Sequence, residues 1–148
     1  MPVIRIYVPI GRRDLDDLAE KGGLDVDHPS PRAAFAVTDD LRSRTAGLDL
    51  EDLEFAAFSD AVAASGAARS ERGDRRVVAS ADADPAWVLD GAGTPVSLVT
   101  LAVSLPMSRI ASFHVDEAAG AATEPEAEAD DLLWYDATEL DEVRALLA

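Results

Sequence analysis

The chain contains no cysteine, only two histidines and a single lysine. Without cysteine there are no disulfides, no thiolate zinc sites, no iron–sulfur clusters and no thiol nucleophile. Long hydrophobic runs are missing too. The stretch from Val96 to Met107 is broken by Ser97, Thr100 and Ser104, well short of the ~20 residues a spanning helix needs. Val3–Ile10 is short and carries Arg5, unlike the apolar core of a secretory leader. A cytoplasmic chain with no membrane contact is expected. Phosphate-cradling loops are absent: Gly91-Ala92-Gly93 has neither a third glycine nor a strand-to-helix setting. No Gly-x-Ser-x-Gly elbow exists, and Ser65, which precedes Gly66, falls within a helical pattern.

Acid is plentiful. Twenty-nine acidic residues against 13 basic ones leave a net charge of −16 over 148 residues. Such a field repels phosphate backbones and anionic lipid surfaces, so nucleic acid is not an expected partner. Arg12-Arg13 and Arg75-Arg76 are too short to form a basic stripe. A basic protein partner would be attracted, although solubility alone also accounts for surface charge. Alanine contributes 28 residues, yet Leu, Ile, Val and Phe still number 37. A quarter of the chain is enough to close one core.

The periodicities alternate between strand and helix. Val3–Val8 reads as a strand stopped by Pro9, with Ile4, Ile6 and Val8 on one face and Val3, Arg5 and Tyr7 on the other. Asp14 looks like the cap of a helix ending at Gly22-Gly23. A short strand follows at Ala33–Val37, with Thr38 capping a brief helix. The longest helix runs from Asp49 to about Arg69, with Leu50, Leu53, Ala57, Ala61 and Ala64 in a stripe widened by Phe58 and Val62. Glu54 falls inside that apolar arc, at its edge or paired with Arg5 or Arg76.

Strands are then expected at Arg76–Ala81, at Trp87–Leu89, and at Val96–Leu105 with Arg109–Val115 as its hairpin partner. Leu132–Tyr135 makes a last strand, and Thr138 with Asp141 fits the start of a terminal helix. Asp116 can cap an alanine-rich helix, followed by an acidic stretch over 120–129. One apolar face and one mixed face per strand predict a single α+β domain over residues 1–148. Its sheet is expected to be mixed, mostly antiparallel, of about five to seven strands, with helices mainly on one face.

The segments VIRIYVP, AVTDDLR, DLEFAAFSDA, RRVVASAD, RIASFHVDEA and LLWYDATEL, in this order, resemble a family of uncharacterised actinobacterial proteins. That resemblance implies one compact domain and brings no catalytic residues with it.

Several polar sets compete as sites. Asp-x-Asp pairs at 14/16, 25/27 and 82/84 have the hard carboxylates a divalent ion wants. Nineteen aspartates produce two or three such pairs by chance, and no metal or cofactor is expected. Gly11-Arg12-Arg13 before a helix could hold an anion or meet surface carboxylates. His28 stands between Asp27 and Pro29 in a loop. Strand alternation puts Ser112, His114 and Asp116 on one side, opposite Ala111, Phe113 and Val115. Trp134 and Tyr135 point to opposite faces, so one ring enters the core and the other joins Tyr7, Arg5 and His114 if these strands are neighbours. The candidate binding surface is therefore Arg5, Tyr7, Ser112, His114 and Trp134. The expected function is a binding or adaptor domain with a protein partner, or a homodimer; the alternative is a small acid–base hydrolase or isomerase using His114 and Asp116.

Overall fold

A computed structural model describes residues 2–26, 32–68, 75–90, 95–117 and 132–147. The elements in chain order are β1 (Ile4–Ile10), α1 (Arg12–Lys21), β2 (Gly23–Leu24), β3 (Arg32–Ala36), α2 (Asp39–Arg44), α3 (Leu50–Ala68), β4 (Val77–Ala83), β5 (Val88–Asp90), β6 (Leu98–Leu101), β7 (Leu105–Pro106), β8 (Ile110–Val115), β9 (Leu133–Asp136) and α4 (Leu140–Leu147). Seven strands form one sheet in the order β5-β6-β3-β1-β4-β8-β9, and β2 pairs with β7 apart from it. Every neighbouring pair is antiparallel. The fold is α+β, as the one-sided strand pattern predicts.

Register follows from that pattern. Ile6, Val8 and Ile10 lie level with Ala81, Ala79 and Val77, and Ala79 and Val77 lie level with Phe113 and Val115. These residues, with Ala34, Ala36, Val99 and Leu101, form one buried apolar layer that Leu15 and Leu18 of α1 and Val143 and Leu147 of α4 close. The opposite face carries Tyr7, Phe35 and Val78 under Leu41 of α2 and Leu53, Ala57, Ala61 and Val62 of α3. The larger share of helix, α2 and α3, thus lies on this second face. Ala57 and Ala61 are wholly buried, and their small side chains let α3 approach the strands closely.

Several local expectations change. The strand predicted at Val96–Leu105 is split: β6 ends at Leu101, and Leu105 joins the separate β2–β7 pair. Accordingly β8 does not pair with β6 but lies between β4 and β9. Val103 is exposed while Leu105 is buried, which an unbroken alternation would not allow. Pro9 does not stop β1, because pairing with β3 covers only Ile6 and Tyr7, leaving an edge there where proline is tolerated. Asp14 is not the cap residue. Gly11 is, and Asp14 sits three residues on, accepting from the Gly11 N–H at 3.0 Å.

That same Asp14 accepts from Arg32 Nη2 at 2.8 Å, and the buried Arg32 also donates Nε to the Asp25 carbonyl. At the far end, Asp136 and Glu139 form the capping pair in place of Thr138 and Asp141. Between α1 and β2, Gly22 adopts φ +75° and Gly23 brings its backbone against β7. A Cβ on Gly23 would meet the Leu105 carbonyl oxygen at 2.9 Å. Gly23→Ala is therefore expected to lower stability by about 1–3 kcal/mol in urea unfolding, because backbone, not a movable side chain, must give way. Among the described residues, no helix is long and apolar enough to cross a membrane.

Candidate functional site

The mixed face is where chemistry collects. Across β1, β4 and β8 the partners run Arg5–Asp82, Tyr7–Ser80–Ser112 and Val78–His114, and His114 lies level with Trp134 on β9. Alternation then directs Arg5, Tyr7, Ser80, Ser112, His114 and Trp134 to one side. A bulge sets this up: Ser80 pairs with Ser112 but Ala81 pairs with Ile110, so Ala111 is the extra residue. Without that insertion Ile110 would share the face of Ser112; with it, Ile110 joins the apolar layer.

Helix α3 packs over β1, β3 and β4. Between its flank and β8–β9 lies a cleft of about 410 Å³. All five residues singled out from the sequence line it: Arg5, Tyr7, Ser112, His114 and Trp134. Sequence reasoning missed Ser80, Glu51, Phe55 and Phe58 as lining residues. Ser80 had a signal, since Val78, Ser80 and Asp82 repeat every second residue on the mixed side of β4. Phe55 gave a weaker one, an aromatic lying off the apolar stripe of α3.

His114 is half-buried. Its Nε2 lies 2.9 Å from Ser80 Oγ and 3.1 Å from Ser112 Oγ, and its ring packs 4.7 Å from that of Phe58. Burial, with the positive charge of Arg5 adding to it, pushes the imidazole pKa down to about 4. A ring so reluctant to take a proton is a poor general base near neutrality. Tyr7 is pushed up to about 12, chiefly by burial and then by the negative charge of Glu54. Both groups are neutral at pH 7. Arg5 donates Nε to Asp82 at 2.8 Å, so that cation is already compensated.

Asp116 is not the partner of His114. It lies just past β8, buried, where its carboxylate accepts from the backbone N–H of Arg76 at 2.6 Å and from Arg76 Nη2 at 3.0 Å. Nor does Glu54 take either arginine expected for it, since Arg5 is on Asp82 and Arg76 on Asp116. Among the described residues Glu51 and Glu54 make no ion pair, and both border the cleft.

Residues 4–143 match a family of unknown function, DUF6912. The chain belongs to that family. The match begins with the first residue of β1 and extends into α4, so every cleft residue lies inside the DUF6912 span. No curated protein and no solved structure matches the chain.

The remaining candidates do not converge into sites. Asp16 pairs with Arg144, Asp82 with Arg5, and Asp84 caps the 3-10 turn Pro85–Trp87. Among the described residues no three His, Cys, Asp or Glu side chains are grouped to hold a metal ion. The Gly11 N–H at the candidate anion position is taken by Asp14. Trp134 is the exposed member of its pair and Tyr135 packs on the apolar layer. His28, Asp27, Gly91, Gly93 and the stretch 120–129 lie outside the described residues, as does nearly all of the alanine-rich segment after Asp116.

The depressed His114 pKa has a measurable sign. Between pH 6.5 and 4 the unfolded chain takes up a proton that the folded ring refuses, so stability falls as pH drops through that window. Against a His114→Gln variant, the loss is expected to reach roughly 2 kcal/mol by pH 4, allowing for partial exposure. Urea unfolding of both proteins across that range checks it; parallel curves would mean the histidine titrates normally.

Proposed function

We propose that this chain is a non-catalytic binding or adaptor domain that engages a protein partner through the cleft of Arg5, Tyr7, Ser112, His114 and Trp134. One observation carries the reading: Trp134, 63% exposed on β9, and Phe55, 52% exposed on α3, line the same cleft. Exposed aromatic rings beside a cleft are what recognition surfaces use, because they gain most when a partner removes them from water. Inside the cleft the polar groups are hydroxyls, a neutral imidazole, two carboxylates and the Asp82-paired guanidinium of Arg5, which can orient a ligand through hydrogen bonds. Two copies at −16 each repel one another, which favours a different, basic protein over a homodimer.

The hydrolase or isomerase alternative retains one support, the contact between Ser80 Oγ and His114 Nε2. It needs a carboxylate other than Asp116 to orient the ring.

The test uses the full chain as bait in host lysate, alongside a Phe55→Ala/Trp134→Ala variant. Both side chains are exposed, so the variant is expected to fold with a stability change within about 1 kcal/mol. A protein retained by the native chain and lost from the variant is the expected result. Identical capture by both, or a stable dimer of the native chain alone, would overturn it.

A further inference from the structure

Resting on the cleft as a binding site, we infer that its occupant is a basic peptide segment whose lysine or arginine side chain sits between Trp134 and Phe55, facing Glu51 and Glu54. Four features select a cation. Glu51 and Glu54 bring two carboxylates that make no ion pair among the described residues, while Arg5, the arginine that lines the cleft, is held by Asp82. Four of the lining rings form a connected set, with Trp134 exposed on the β9 side of the cleft: Phe58 contacts Tyr7 edge-on at 5.5 Å, Phe55 at 6.3 Å and His114 at 4.7 Å. Aromatic faces attract ammonium and guanidinium groups, most strongly where water is partly excluded. Floor hydroxyls from Ser80 and Ser112 can accept from a cationic donor. The protein's overall field draws such a partner in.

The same protein already holds one such pairing. Arg109 lies over the Trp87 ring with its guanidinium carbon 4.7 Å from the centroid, so the chain's own arginine uses the contact proposed for the partner's.

Two capped peptides serve as probes at low ionic strength, one alternating glycine with lysine and one alternating glycine with glutamate. Their binding to the full chain is followed by calorimetry and by the indole N–H resonances of the two tryptophans. The lysine peptide is expected to bind saturably and move the Trp134 resonance while leaving Trp87 in place. Glu51→Gln/Glu54→Gln should weaken it at least tenfold, whereas Glu20→Gln/Glu142→Gln, which removes the same charge from exposed sites elsewhere, should weaken it less than twofold. Equal weakening by both double variants would reduce the effect to net charge and overturn the inference. So would an unmoved Trp134 resonance, or tighter binding of the glutamate peptide through Arg5. Partner capture that depends on Phe55 and Trp134 but survives the loss of Glu51 and Glu54 would sink the cationic occupant alone. Loss of both results would sink the cleft reading with it.

Discussion

Arg76→Ala is expected to destabilise the fold by about 3–5 kcal/mol, the range for breaking a buried ion pair from one side. Arg76 is 7% exposed and Asp116 3%. The pair is joined by Nη2 at 3.0 Å and Nε at 3.1 Å, and the Asp116 carboxylate also accepts the Arg76 backbone N–H at 2.6 Å. These bonds close the β4–β8 ladder at the end where Asp116 N–H donates to the Arg76 carbonyl. Removing the guanidinium leaves a carboxylate out of water with the residue-76 backbone N–H as its donor. Removing both, as Arg76→Met/Asp116→Leu, should cost less than either single change, since the desolvation of two charges is then avoided. Recovery should be incomplete because the Arg76 N–H loses its side-chain acceptor. Urea unfolding of Arg76→Ala, of the single variants Arg76→Met and Asp116→Leu, and of the double variant measures this. A loss under 1 kcal/mol for Arg76→Ala would place the pair in water.

Phe113→Ala should cost about 3–5 kcal/mol, as large truncations in close-packed cores do. Phe113 is fully buried in the apolar layer, level with Ala79 on β4 and Tyr135 on β9. Alanines at 34, 36, 79, 81 and 83 make this layer one in which neighbours have little side chain to swing into a void. Trp134→Ala removes a larger ring from the strand next door, yet should change stability by no more than about 1 kcal/mol, because that ring faces water. The contrast tests the face assignment itself. Comparable losses would mean that the two sides of β8 and β9 are not as different as described.

Much of this was legible from residue order because antiparallel strands with one wet side alternate cleanly. Ile4, Ile6 and Val8 against Arg5 and Tyr7 announced the two faces of β1, and Phe113 against Ser112 and His114 those of β8. The five residues gathered from that alternation all line one cleft. What escaped notice was long-range. Nothing local says that Leu105 leaves the main sheet to pair with Leu24, or that β8 inserts beside β4 rather than β6. Asp116 two positions after His114 suggested a dyad, but a single buried arginine 40 residues away outcompeted the histidine for it. Glu54, the one misfit in the stripe of α3, marked the cleft wall. Its inconsistency with an apolar arc was the signal, and only the position of α3 over the sheet gave it meaning.

A crystal structure of the full chain grown with the lysine peptide tests the cleft most directly. Density for a basic side chain between Trp134 and Phe55, within reach of Glu51 and Glu54, is the predicted result. Peptide density seated instead in the cleft of about 530 Å³ between α1 and α4, where Arg144 already bridges to Asp16, with Trp134 left uncovered, would contradict it.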